Sequence, residues 1–386
     1  MERRNFIRAT GVALTGAVAG CGAFPPGDDS NGNQATTERA TSGPIEEDIA
    51  NPETATDGSY SVSIEPMGEV TFDAVPETWV GNNGSWADMA LALGVEPPEA
   101  VWLPSRYHTN YYADIPNVSV DGSNIDALYS DGVSKEQFYR FDGDVHIIDP
   151  NFLQNRYSGW EDSDIDDVAA IATFFGNSSF THNYAWHEGY RYYTIEEAFA
   201  KLARVFHRAE YYNAMASVRN EFIANLSDIV PSDAADRPDV ANVWGGDQPE
   251  SFYPYHIGQG TSYRQLRDLQ VGDALAKAGV PDFYDTRGQI DYETLLDADP
   301  DVLLVRGHES KSRAEFEDQV VSYMENDDTA STLRAVQNGD VYRGGPLYQG
   351  PITNMVVAER QARQLYDTDA ELFDRQRVGE IVNGKL

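Results

Sequence analysis

Residues 194–231 read TIEEAFAKLARVFHRAEYYNAMASVRNEFIANLSDIVP. Ile195, Phe199, Leu202, Val205, Phe206, Ala209, Tyr212, Ala216, Phe222, Leu226 and Ile229 recur at intervals of three or four. That spacing puts one apolar stripe on a helix. Thr194 is an N-cap with Glu197 three residues on, the pattern of a capping box, and Pro231 closes the run. About 35 residues at 1.5 Å each give a helix of roughly 50 Å. Such a length exceeds what one small domain covers and predicts a strut between two.

On both sides of this stretch short apolar runs alternate with helical patterns, which predicts α/β units on largely parallel sheets. Before it, Thr78–Val80, Val101–Leu103, Asp144–Asp149 and Ala172–Phe175 read as strands and Trp86–Leu93 as a helix. After it, Asp239–Trp244, Asp301–Val305 and Gly339–Tyr342 read as strands; Tyr263–Ala278, Asp291–Leu296 and Thr353–Tyr366 read as helices. The predicted plan is an N-terminal lobe over 61–193, a connecting helix over 194–231 and a C-terminal lobe over 232–386.

The N-terminus carries a separate signal. Arg3-Arg4-Asn5-Phe6-Ile7-Arg8 precedes an apolar stretch from Gly11 to Ala19 and the ending Val18-Ala19-Gly20-Cys21. This looks like a twin-arginine export signal, residues 1–21, ending in a lipoprotein cleavage box, with Cys21 as the lipidated residue. The apolar stretch is too short for a bilayer core of about 30 Å. Cys21 is the one cysteine, which excludes intramolecular disulfides and Cys-rich metal sites. Residues 22–60 are rich in Gly, Ser, Thr, Asn, Asp, Glu and Pro and read as a disordered acidic tether. The expected location is the outer face of the cell membrane.

Among 386 residues, 63 are acidic and 28 are Lys or Arg, for a net charge of -35; only 5 of the cations are Lys. That charge excludes nucleic acid as a partner. The acids are spread along the chain, as in proteins adapted to molar salt, where the Debye length falls to about 3 Å.

Several segments occur in a familiar order. Phe72–Gly94, FDAVPETWVGNNGSWADMALALG, is a strand, loop and helix. Ser134–Asp149, SKEQFYRFDGDVHIID, and Asp291–Val305, DYETLLDADPDVLLV, are matching elements of the two halves, with Gly143-Asp144 in the first where the second has Pro300-Asp301. Leu333–Tyr342, LRAVQNGDVY, and Gln349–Tyr366 close the series. Together they resemble the class III (cluster A) binding proteins of ABC importers for ferric siderophores and cobalamin, over about residues 62 to 368.

The resemblance implies two Rossmann-like α/β lobes joined by one long rigid helix. It implies a monomer that captures an iron complex, a ferric siderophore, and delivers it to a permease dimer with a cytoplasmic ATPase. Cobalamin, haem and a bare metal ion remain alternative cargoes. The stretch 102–193 is longer and more aromatic than is usual in that family. The resemblance also implies one permease-docking glutamate on each lobe, at Glu136 and Glu293.

In such a fold the ligand lies between the lobes, beyond the C-terminal ends of the strands. The loops expected there carry Trp86, Arg106, Tyr107, Tyr111, Trp244, Tyr253, Tyr255, His256, Arg306 and Tyr348. Tyr and Trp suit a large amphipathic ligand; Arg106, Arg306 and also Arg264 suit carboxylate or hydroxamate oxygens. The alternative reading of each aromatic is core packing. A direct metal site would draw on His182, His187, Glu188, His256 or His308, none of which has helical metal-ligand spacing. No Gly-x-Ser-x-Gly elbow, phosphate-binding loop or catalytic Cys is present, so no catalytic residue and no cofactor are expected, with a secreted hydrolase as the alternative class. Asn83, Asn117, Asn177 and Asn225 each begin an Asn-X-Ser glycosylation triplet.

Overall fold

A computed structural model describes residues 45–129, 132–180, 184 and 186–386. Cys21 and His182 lie outside the described residues. Among them no helix is long and apolar enough to cross a membrane.

The chain begins its regular structure with a hairpin, β1 (Tyr60–Ile64) and β2 (Gly68–Phe72), paired antiparallel from Tyr60 opposite Phe72. Tyr60, Val62 and Ile64 alternate inward and bury the hairpin against the core. A parallel sheet follows, built from β3 (Trp79–Gly81), β4 (Ala100–Val101), β5 (Asp126–Ala127), β6 (Val145–Ile147) and β7 (Thr173–Phe174). Its spatial order is β5-β4-β3-β6-β7. The order reverses beside β3, so the loops after β3 and β6 diverge and leave a crevice at their C-terminal ends.

The second lobe repeats the device. It contains β8 (Asp239–Trp244), β9 (Tyr253–Pro254), β10 (Gly272–Asp273), β11 (Val302–Arg306) and β12 (Val341–Arg343). The parallel order is β10-β8-β11-β12, with β9 antiparallel on β8, and the switch falls between β8 and β11. All five residues of β11, VLLVR, are buried, as expected for a strand covered on both faces. The α/β class with two parallel sheets is therefore as the sequence predicts.

The connection differs from the predicted single strut. It is two helices, Ile195–Val205 and Ala209–Ser227, broken at Phe206, His207 and Arg208. The capping box at Thr194 and Glu197 forms as expected. At the break His207 turns left-handed, at φ 51°, and Arg208 N–H bonds back to Ala203 O at 2.7 Å. The helices then fold against each other. Phe199 meets Tyr212 with ring centroids 5.1 Å apart, and Arg219 reaches back to Glu196 in the first turn of the first helix at 3.2 Å.

That last contact belongs to a buried network. Arg219 and Arg264 both pair with Glu196 and Asp268; Arg264 lies 3.1 Å from Glu196 Oε2 and 2.9 Å from Asp268 Oδ1. Two cations and two anions cancel inside the protein, and removing one would strand an uncompensated buried charge. Arg264 therefore joins the second lobe to the connection and is not a cleft residue.

The predicted tether also ends earlier than residue 60. Asn220 grips the main chain of Ile45, accepting from its N–H at 2.8 Å and donating to its carbonyl at 3.1 Å. Asn213, two helical turns earlier, does the same to Ile49, at 2.9 and 3.0 Å. The Ile49 side chain is buried, so this polar segment is docked along the second connecting helix through its backbone.

Candidate functional site

The crevices of the two sheets are lined by the loops after β3, β4, β6 and β7 in one lobe and after β8, β9, β11 and β12 in the other. The lobes touch where Thr261 N–H donates to Ser179 O at 2.9 Å and the Ser262 hydroxyl donates to Phe180 O at 2.6 Å.

Arg106 lies between tryptophans of opposite lobes, 5.8 Å from the Trp102 ring and 5.5 Å from the Trp244 ring. Gly307 permits this arrangement. It has φ +100°, and a Cβ there would come within 3.0 Å of the Trp244 ring. Arg306, the last residue of β11, is fully buried. Its guanidinium stacks 5.0 Å from the Tyr263 ring and Nη2 donates to Ser262 O. Gln349 donates to the same carbonyl at 3.3 Å, and its own N–H bonds to Ser85 Oγ of the other lobe at 3.0 Å.

Around these cations stand phenols from both lobes. Tyr348 packs on Phe180 at 5.4 Å, Tyr284 on Tyr184 at 6.4 Å, and Tyr255 on Tyr284 at 5.8 Å. Burial pushes the Tyr348 hydroxyl up to about 12 and those of Tyr184, Tyr255 and Tyr263 well above their ordinary value. All therefore remain neutral hydrogen-bond donors. Four arginines act on this group: Arg106 and Arg306 on Tyr255, Arg106 and Arg156 on Tyr348, Arg156 and Arg287 on Tyr184. Asp282 acts in the opposite sense on Tyr255 and Tyr263. Its oxygens are taken up by the N–H groups of His256 and Tyr284, both at 2.7 Å.

Of the residues predicted for the cleft, Arg106, Trp244, Tyr255, Arg306 and Tyr348 come together there, and Tyr253 reaches its edge against Phe283 at 5.0 Å. Four do not. Trp86 is buried in the core on the helix Gly84–Ala92. Tyr107 packs against Gly84, where a Cβ would lie 2.9 Å from its ring, and bonds to Tyr112 at 3.1 Å. His256 is tied into a turn, with Nε2 2.7 Å from Val280 O. Tyr111 bridges the lobes: its hydroxyl bonds to Glu309, and Arg360 contacts both at 3.1 and 3.3 Å.

Arg156, Tyr184, Tyr263, Tyr284 and Arg287 escaped the sequence reading. Arg156 and Tyr184 lie in the unusually aromatic stretch 102–193, whose composition was the available signal. His187 stacks on Tyr190 at 4.1 Å, and His308 Nδ1 lies 3.5 Å from Asp247. Among the described residues no group of three or more His, Cys, Asp or Glu is placed to hold a metal ion. Glu136 and Glu293 are exposed in the first turns of the helices Lys135–Phe141 and Tyr292–Ala298.

A family model described as periplasmic binding protein matches residues 84–347. Among solved structures, a periplasmic binding protein from Veillonella parvula superposes with a TM-score of 0.57 at 13% identity, over 82% of this chain and 100% of that one. Staphylococcus aureus SirA, solved with staphyloferrin B, gives 0.53 at 14%, over 79% and 97%. The heme binding protein HmuT gives 0.54 at 16%, over 86% and 100%. At these identities the likeness is one of fold. No curated protein sequence matches the chain.

Proposed function

The chain belongs to the periplasmic binding protein family, and from that premise we propose that it is the extracellular solute-binding component of an ABC importer whose cargo is an anionic iron chelate, a ferric siderophore. The chelate is taken between the lobes and handed to a permease dimer driven by a cytoplasmic ATPase. The protein works as a monomer and is not an enzyme.

The observation that carries the cargo is electrostatic. In a chain of net charge -35, buried Arg306 and half-buried Arg106 and Arg156 gather among neutral phenols at the meeting of the lobes, with Arg287 exposed at the edge, while the oxygens of Asp282 are already engaged by N–H donors. Concentrating like charge in a poorly solvated place is unfavourable unless an anion completes it. Arg106 and Arg306 donate to chelate oxygens, while Trp102, Trp244, Tyr255 and Tyr348 flank its rings.

Titration of the purified protein with ferric hydroxamate, catecholate and carboxylate siderophores, haem and cobalamin, followed by tryptophan quenching and native mass spectrometry, tests this. One ferric siderophore class should bind, and Arg106→Gln or Arg306→Gln should weaken it about 10- to 100-fold, the worth of a charge-assisted hydrogen bond. Binding of haem, cobalamin, a sugar or a peptide with no ferric siderophore retained would overturn the assignment.

The signal ending at Cys21 supports a lipid anchor holding the protein at the outer face of the membrane. A Cys21→Ser chain should then appear in the medium; undiminished membrane retention would exclude the anchor. Glu136 and Glu293 are assigned to the permease, one for each of its subunits.

A further inference from the structure

We propose that Asn117 carries an N-linked glycan, and that the fold selects it from the four Asn-X-Ser triplets of the chain. The acceptor atom in this chemistry is the side-chain Nδ2. It forms a bond to C1 of a sugar delivered on a lipid-linked phosphate; the C1–O bond to phosphate breaks, the amide loses one proton, and the lipid phosphate leaves. Nδ2 must therefore reach a bulky donor at an enzyme surface. For a chain exported already folded, as the twin-arginine signal implies, surface placement decides which triplet is used.

Two of the other triplets are buried, and the third is held in a helix. Asn83 is 1% exposed and caps the helix Gly84–Ala92, with Nδ2 donating to Asn82 at 2.6 Å. Asn177 is 2% exposed, and its Nδ2 donates to the carbonyls of Glu65 and Arg191 at 2.9 and 3.0 Å. Asn225 is exposed, but it lies within the last turns of the helix Ala209–Ser227 and its Nδ2 is held by Leu372 O at 3.0 Å. Modifying any of them means breaking a packed hydrogen bond or unfolding a helix.

Asn117 meets the condition of surface placement. The turn around it is pinned by the buried side chains of Ile115 and Val118, with Val118 N–H bonded to Ile115 O at 3.2 Å. Between and after these anchors Asn117 and Ser119 are exposed, so both the amide and the hydroxyl of the triplet face outward. Asn117 has φ 59°, a left-handed conformation that asparagine tolerates. The engaged group is its main-chain carbonyl, which accepts from Asn383 Nδ2 at 3.1 Å and leaves the side chain on the surface. The turn rests on the C-terminal helix Arg375–Val382, where Pro116 O abuts Gly379. A glycan here would stand over that helix.

The test uses full-length protein purified from the membranes of its native cell. Its proteolytic peptide containing Asn117 should carry added sugar mass, while peptides containing Asn83, Asn177 and Asn225 have their unmodified masses. In the same cell Asn117→Gln and Ser119→Ala should each remove the added mass from the intact protein, and Ser119→Thr should keep it. An unmodified Asn117 peptide in the wild-type protein overturns the proposal, as does sugar on any of the other three asparagines.

Discussion

Asp88 holds together parts of the chain that lie far apart in sequence. Its carboxylate, on the helix Gly84–Ala92, accepts from the N–H groups of Ile352 and Thr353 at 3.1 and 3.2 Å, from Thr353 Oγ1 at 3.0 Å and from Tyr112 at 2.7 Å. It thereby caps the closing helix Pro351–Tyr366, whose own N-cap, Gly350, has no side chain to do so. Nor is there room for one, since a Cβ on Gly350 would lie 2.4 Å from Asp88 Oδ2. Burial raises the Asp88 pKa to about 6, against the pull of these donors. A carboxyl whose folded pKa lies above its unfolded value of 3.8 disfavours folding at neutral pH, and that cost disappears as pH falls through 6 toward 4. An asparagine at this position has no such titration. The stability of the wild type relative to Asp88→Asn should therefore grow as pH drops from 7 to 4, by up to about 3 kcal/mol. Denaturant unfolding of both proteins across that range measures it; a constant difference would show that Asp88 keeps its charge throughout. No sequence pattern pointed to Asp88. One acid among 63 carries little signal, and the helix it caps, at Ile352 and Thr353, is more than 260 residues away.

The elements themselves were legible where local chemistry and burial agree. The run Val302–Arg306 has the apolar continuity of a strand covered on both faces, and Thr194 with Glu197 fixes the start of its helix as the capping pattern requires. The break at 206–208 was not legible, because it contains neither Gly nor Pro. Phe206 and Ala209 are both buried, so the apolar period runs through it unbroken. The turn is decided by contacts the local pattern does not contain, such as His207 against Tyr60 at 4.3 Å. The docking of residues 45–49 was hidden for another reason: it uses main-chain groups held by Asn213 and Asn220, so composition does not register it. Strand-end position pointed to Arg306 and Trp244, which end the neighbouring strands β11 and β8. The same rule failed for Trp86 and Tyr107, because a residue beside a strand end can point into its own lobe as readily as toward the other. Arg264 was misread because its partners, Glu196 and Asp268, are acids among many in the sequence and become specific only in the fold.

At the scale of the whole molecule, a chain of net charge -35 working in molar salt would have to find a permease without attractions that reach far. In molar salt the Debye length is about 3 Å, so docking there depends on direct, partly desolvated pairs. Glu136 and Glu293 are the residues proposed to make them. Each is exposed, each sits in the first turn of a helix that precedes a central strand of its lobe, and the two helices occupy equivalent positions in the two halves. Two equivalent carboxylates match a partner built from two permease subunits. Neither is among the residues gathered in the cleft, so docking on a permease and capture of cargo are expected to be separable. Glu136→Gln together with Glu293→Gln should lower uptake by about tenfold or more, on the order of 1 to 2 kcal/mol, at the cell's own salt concentration. The affinity of the purified double variant for its ferric chelate, read by tryptophan quenching, should not change. Normal transport by the double variant would make these glutamates ordinary members of the acidic surface, and a fall in chelate affinity would tie them to the cleft instead.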